Sequence, residues 1–204
     1  LRRSPRRTAT TANALVIGLF LVTLVSVAGA SLRDWTVGEV DQLSSADFVV
    51  TTITGAMPEG LSDRIDAVRG IEESARLRSV PVIENGSPTT LTAADPAELR
   101  RVGLRPDSGS WSDAGGVVTA FVDQQPAQVG QEVHVTLPDG RAVSLGVSGV
   151  LPFSFDALLI GNLVTPATLD QLVPDTPETG TLISVDRGSY DRVKEQLDSL
   201  TAGY

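Results

Sequence analysis

The sequence predicts an α+β domain standing outside a membrane on one transmembrane helix. Three observations lead there. No charged residue lies between Arg7 and Arg33, four arginines precede that stretch, and the rest of the 204 residues mixes β-branched runs with helical periodicities. Aromatic residues make up only 4% of the chain, so any core must be aliphatic.

The uncharged stretch has two incompatible readings. A cleaved export signal needs a basic start, an apolar run of roughly 7 to 15 residues and a small-residue cleavage site, and Ala28-Gly29-Ala30 supplies the last element. A secreted domain, an enzyme included, would then begin near Ser31. A spanning helix needs about 20 mostly apolar residues. Asn13 to Ser31, at about 1.5 Å per residue, covers roughly the 30 Å hydrocarbon layer. That length favours an anchor over residues 12–32. The chain opens on Leu1, not Met, so the segment is expected to come from inside a longer polypeptide. Arg2, Arg3, Arg6 and Arg7 then form a cytoplasmic flank, because short basic flanks stay inside. Everything after residue 32 is expected outside the cell, and a basic nucleic-acid-binding arm is the weaker alternative.

Charge supports the same division. With four arginines and no acid before the span, the outer part carries 12 basic against 25 acidic residues, net −13. Such a surface argues against nucleic acid or anionic lipid as its direct ligand. No cysteine is present, so disulfides and thiolate metal sites are excluded.

Beyond the span, Leu32, Trp35, Val37, Val40 and Leu43 recur at mostly helical spacing, which predicts a stalk helix over 33–45. Ala46 to Ile53 is a β-branched run that reads as a strand. Leu61, Ile65 and Val68 share one helical face, Arg76 to Glu84 reads as extended, and Asn85-Gly86 is a turn. From Pro88 to Ser112 the pattern is weak, with a short helix at Pro96 to Val102. Order returns at Gly116 with GGVVTAFV. Val133, Val135 and Leu137, then Val143, Leu145 and Val147, alternate around Pro138-Asp139-Gly140 and predict a β-hairpin. A short strand is expected at Leu158 to Ile160, a helix at Pro166 to Leu172, a strand at Thr181 to Asp186, and a helix from Ser189 to Leu200. On that helix Tyr190, Val193, Leu197 and Leu200 face one way. Neither 46–84 nor 181–200 has enough apolar surface to close a core alone. The strand around Leu182 to Val185 is therefore expected in the same sheet as Phe48 to Thr52, with the 133–147 hairpin outside it.

Pro5-Arg6-Arg7-Thr8-Ala9 with Asn13-Ala14-Leu15, then VGQEV (Val129 to Val133) and VSGV (Val147 to Val150), occur in an order and spacing that resembles the FtsX-like or MacB-like ABC transporter permeases. The resemblance covers essentially the whole chain. It implies a ferredoxin-like subdomain from 46–87 and 179–204, interrupted by a mainly β inserted subdomain at 88–178. It also implies a bacterial plasma-membrane protein whose outer domain is coupled to a separate ABC ATPase subunit and to further spans of the same permease. The bilayer would be a direct partner. An anchored binding or sensor domain without transport is the alternative.

Catalytic signals are few. No glycine-rich phosphate loop occurs, so no ATP or other cofactor is expected in this chain. Ser148 lacks the G-x-S-x-G spacing. His134, the only histidine, sits between Val133 and Val135 with no sequence partner for a triad or metal site. Glu72, Glu73 and Asp139 lack the spaced oxygen ligands of a calcium loop. No catalytic or metal residue is assigned, and the chain is not expected to be an enzyme. Phe153 and Phe155, in Leu151-Pro152-Phe153-Ser154-Phe155, are two aromatics in an apparent loop: either a partner contact or plugs of the β subdomain.

Overall fold

The computed structural model describes residues 46–52, 55–111, 116–153 and 155–202, the side chains of Phe155, Asp156 and Leu158 excepted. The basic flank, the span and the stalk lie outside the described residues. No helix among the described residues is long and apolar enough to cross a membrane.

The element that organises the fold is β2 (Ile71–Glu84), a strand of 14 residues whose two halves pair with different partners within one nine-stranded sheet. Its first half pairs antiparallel with β11 (Gly180–Val185), and β11 pairs antiparallel with β1 (Phe48–Thr51). The strand near the end of the chain therefore lies between two strands from its beginning. Register dictates what each face carries. Val49 lies opposite Leu182 and Leu182 opposite Ala75, while Phe48 lies opposite Ile183. Side chains alternate along a strand, so these rows point to opposite faces. Phe48 and Ile183 join Leu61 and Ile65 of α1 (Leu61–Asp66) and Val193 and Leu197 of α5 (Tyr190–Thr201) in one core cluster. Each fully buried side chain of that kind is worth about 1.5–3 kcal/mol. Val49, Leu182, Ala75 and Leu77 belong to a second cluster with Leu99, Leu104, Ile160 and Leu163. Both faces are thus covered, and every residue of β11 but Ser184 is buried.

On α5, Val193 and Leu197 are buried, Leu200 packs beside them, and Tyr190 stacks on Phe48 with centroids 4.6 Å apart. Gly70, at φ 113°, lies where an added Cβ would sit 2.7 Å from Ser189 Cβ. The entry into β2 and the start of α5 approach closely because that residue has no side chain.

The second half of β2 pairs with β3 (Ser87–Ala93) through a two-residue turn, with Asn85 at φ 47° and Gly86 at φ 85°. Positive φ at both turn residues matches the right-handed twist of the strands they join. On its other edge β2 meets β8 (Glu132–Thr136) only at Ile83 and Glu84. Pro81 lies on that edge between the β11 and β8 pairings. Ser79 N–H is the last to reach toward β11, at Thr179 Oγ1 (3.0 Å), so the N–H that proline lacks would have no strand to meet.

β8 forms the hairpin with β9 (Ala142–Val150), Val133 opposite Leu145 and Val135 opposite Val143. β9 also pairs with β4 (Ser108–Gly109) and, in parallel, with β5 (Val117–Thr119). β10 (Asn162–Val164) joins β5 to β3. A separate ribbon is formed by β6 (Phe121–Val122) and β7 (Gln125–Pro126). Three helices accompany these strands: α2 (Pro96–Arg101), α3 (Phe155–Ile160) and α4 (Pro166–Leu172). α2 and α4 start alike, with a side-chain oxygen of Asp95 or Thr165 capping a backbone N–H and a proline in the first turn. A third cluster, with Val80, Leu91, Val133, Leu145 and Leu169, fills this part.

The Leu182 strand pairs with the Phe48 strand as expected, but the hairpin is not outside that sheet: β8 and β9 belong to the same nine-stranded sheet, which β8 enters by pairing with the far end of β2 and not with β1 or β11. Two further expectations are corrected. Leu158 to Ile160 is helical, within α3, and the strand follows it at 162–164. Ala157, Leu158 and Leu159 favour helix, and Gly161 ends it in a left-handed conformation (φ 69°) whose N–H reaches Ala157 O at 3.1 Å. The stretch after Pro88 contains the strand β3, whose threonines gave no apolar alternation although Thr92 is fully buried.

Candidate functional site

Three tight turns converge on a cavity of about 620 Å³. The β2–β3 turn supplies Asn85, the β6–β7 turn supplies Asp123 and Gln124, and the α3–β10 junction supplies Gly161 and Asn162. All but Asn162 have positive φ, with Asp123 at 54° and Gln124 at 62°. Asparagine, aspartate and glycine are the residues that enter this region most readily. Gly161 is required for a second reason: a Cβ there would lie 2.6 Å from Thr90 Oγ1 and 2.7 Å from Thr90 O. Thr90 and Thr92 donate their hydroxyls to Ile160 O at 3.0 and 2.7 Å, which fixes the end of α3 against β3.

Polar groups on the rim are held by neutral donors. Asn162 Nδ2 donates to Glu84 Oε2 at 2.7 Å, Asp123 N–H donates to Glu84 Oε1 at 3.2 Å, and Asn85 Nδ2 donates to Asp123 Oδ1. Among the described residues, no arginine, lysine or histidine lines the cavity and neither carboxylate forms an ion pair. Ala120, Phe121 and Ala157 provide apolar wall.

A different charged cluster surrounds Arg76 on β2. Its Nη2 lies 2.7 Å from both Asp63 Oδ1 and Asp66 Oδ2, and its Nη1 lies 3.4 Å from Glu178 Oε1. Ser74 donates to Asp66 at 2.7 Å and Ser62 to Glu178 at 2.5 Å. Hydrogen bonds to Asp66, then Asp63, hold the guanidinium well above its ordinary pKa. The cluster ties α1 and the segment before β11 to β2, a structural task.

Of the residues singled out in the sequence, Arg2, Arg3, Arg6 and Arg7 lie outside the described residues. Phe153 is 61% exposed and meets Phe121 edge to face, centroids 5.7 Å apart, at the margin of the cavity. It therefore does not plug the interior. Phe155 begins α3, and its side chain lies outside the described residues. Leu159 on the same helix is 48% exposed. His134 is on β8, its Nε2 4.0 Å from Glu132 Oε2, and Ser148 donates to Val117 O at 3.3 Å. Glu73 pairs with Arg101 at 2.8 Å and Asp139 with Arg141 at 2.5 Å. Backbone and side-chain hydrogen bonds from Arg141 keep the Asp139 carboxyl below its ordinary value. Glu84, Asp123 and Asn162 were not legible as a group. Their only local signals are Asn85-Gly86 and the glycine before Asn162, and long-range pairing brings them together.

No family model matches the chain, and no curated protein matches it. Among solved structures, the chain is similar to the periplasmic region of MacB from Actinobacillus actinomycetemcomitans, with 12% identity over 72% of this chain and 76% of that one and a TM-score of 0.41. It is also similar to the extracellular domain of the noncanonic ABC-type transporter YknZ from Gram-positive bacteria, with 12% identity over 74% of this chain and 91% of that one and a TM-score of 0.41.

Proposed function

We propose that the chain is the extracellular domain and anchoring helix of one ABC transporter permease subunit. ATP hydrolysis on a separate cytoplasmic subunit would be coupled, through the stalk, to extrusion or mechanical work outside the membrane. One observation supports the reading: β11 lies between β1 and β2, so strands from both ends of the outer segment pair with one another at one side of a nine-stranded sheet. A pairing of first and last segments is what the motif resemblance implies. The arginine flank and uncharged span support the orientation.

The test uses the full polypeptide in its own membrane. A cysteine placed before Thr8 is expected to be shielded from an impermeant thiol reagent, one at Asp139 to be labelled, and an ATP-binding subunit to copurify. Labelling at both sites would sink the anchored orientation. Correct labelling with no associated ATPase would leave the second reading, an anchored binding or sensor domain, which the cavity beside Glu84 favours.

A further inference from the structure

The chain has two Asx-Gly pairs, Asn85-Gly86 and Asp139-Gly140, each at a turn. In such a pair the glycine nitrogen, unhindered by a side chain, can reach the Cγ of the residue before it and close a succinimide ring. The structure treats the two pairs differently. Gly140 N–H is bonded to Leu137 O at 2.9 Å. The Asp139 carboxylate accepts from Arg141 N–H at 3.0 Å and from Arg141 Nε at 2.5 Å, which keeps it ionised and a poor electrophile. Gly86 N–H, by contrast, makes no hydrogen bond among the described residues. Asn85 and Gly86 are both exposed, and a Cβ added at Gly86 would meet nothing within 4 Å. The side chain at 85 is a neutral amide, whose Cγ accepts a nucleophile where a carboxylate resists one.

We propose that Asn85 is a site of spontaneous covalent modification, converting in the folded protein to aspartate and isoaspartate. Gly86 N forms a bond to Asn85 Cγ and gives up its proton; the Cγ–Nδ2 bond breaks, and the amide nitrogen leaves with that proton as ammonia. Water then opens the ring. Cleavage between Cγ and the Gly86 nitrogen leaves aspartate, whereas cleavage of the backbone C–N bond leaves isoaspartate, with the chain running through Cγ. One water enters and one ammonia leaves, with no change of oxidation state. Ring closure needs the turn to open briefly, which costs little in an exposed segment.

The product changes the rim of the cavity. Asn85 Nδ2 donates to Asp123 Oδ1, and Asp123 N–H donates to Glu84 Oε1 at 3.2 Å. A carboxylate has no N–H to donate, so the direct tie between the β2–β3 and β6–β7 turns is lost and a third negative charge joins Glu84 and Asp123. Isoaspartate also adds a backbone carbon to a two-residue turn whose positive φ at both residues sets Glu84 opposite Ser87. The reaction uses neither a bilayer nor an ATPase, so it stands or falls apart from the permease reading.

The full chain in phosphatidylcholine nanodiscs is aged in mildly alkaline buffer beside the same chain unfolded in urea, and both are digested with trypsin. Mass spectrometry of the 79–100 peptide follows the exchange of NH for O, and an isoaspartate methyltransferase reads the second product. Asn85 in the folded chain is expected to convert within about tenfold of its rate in urea. Folding should slow isoaspartate formation at Asp139 more than conversion of Asn85, each against its own rate in urea. Asn162, 1% exposed and followed by Leu163, should stay unchanged. In 15N NMR the aged chain and freshly made Asn85→Asp should both show displaced amides at Asp123 and Gln124. Conversion of Asn85 slowed by more than about tenfold on folding overturns the proposal. So do slowing at Asp139 no greater than at Asn85, conversion of Asn162 as fast as that of Asn85, or Asp123 and Gln124 amides that stay in place while Asn85 converts.

Discussion

Leu182 and Ile183 are neighbours in β11 that point to opposite faces, and substituting each with alanine tests the description of that sheet. Leu182 is 1% exposed and Ile183 0%. Truncating either to alanine removes three carbons, about 2.4 kcal/mol at 0.8 per methylene, and the cavity left behind raises the cost to about 3–4 kcal/mol. With a urea slope of about 2 kcal/mol/M, each variant's midpoint should fall by about 1.5–2 M, the slope staying unchanged. Circular dichroism of the chain in zwitterionic micelles reads this directly. Equal losses mean that both faces are packed, one under α1 and α5 and the other against Leu99 and Leu104. A Leu182→Ala cost below about 1 kcal/mol beside a full cost for Ile183→Ala would refute the covered second face.

Gly161→Ala is expected to destabilise by about 3 kcal/mol, from a left-handed backbone that costs about 1–2 kcal/mol for alanine and a 2.7 Å approach of its Cβ to Thr90 O. The same urea titration measures it, and a loss under 0.5 kcal/mol would mean that the α3–β10 turn is not the tight junction described. Arg76→Met leaves Asp63, Asp66 and Glu178 without their shared cation. Because the side chain is 37% exposed, solvent screening limits the cost to about 1–2 kcal/mol at low ionic strength, shrinking toward half at 0.5 M salt. A salt-independent loss would point to lost packing instead.

Local rules reached much of the fold. The short helices at Pro96 and Pro166 were readable, Asn85-Gly86 announced a turn, Pro138-Asp139-Gly140 announced a hairpin, and Val193 with Leu197 announced the buried side of α5. They failed where a tertiary partner decides. β3 is Ser-Pro-Thr-Thr-Leu-Thr-Ala, whose threonines look solvated until β2 and Ile160 O receive them. Leu158 to Ile160 looked like a strand because a three-residue apolar run has no period of its own, and Gly161 decides where its helix stops. The pocket was invisible for a further reason. Glu84, Asp123 and Asn162 are 39 residues apart at each step, and no short-range pattern connects turns that the pairings of β3 with β2 and of β10 with β3 and β5 bring together.

That β11 lies between β1 and β2 also sets a timetable. Phe48 finds its partner 135 positions later, at Ile183. At a synthesis rate of about 5–20 residues per second, β1 and the apolar face of α1 wait roughly 7 to 27 s before the chain that completes them exists. The β2–β3 hairpin and the 132–150 hairpin close over short separations and need no such delay. The molecule therefore assembles from its middle outward, and its earliest-made strand is its last to be sheltered. During that interval the exposed run Phe48-Val49-Val50 is the segment most in need of protection from pairing with another chain.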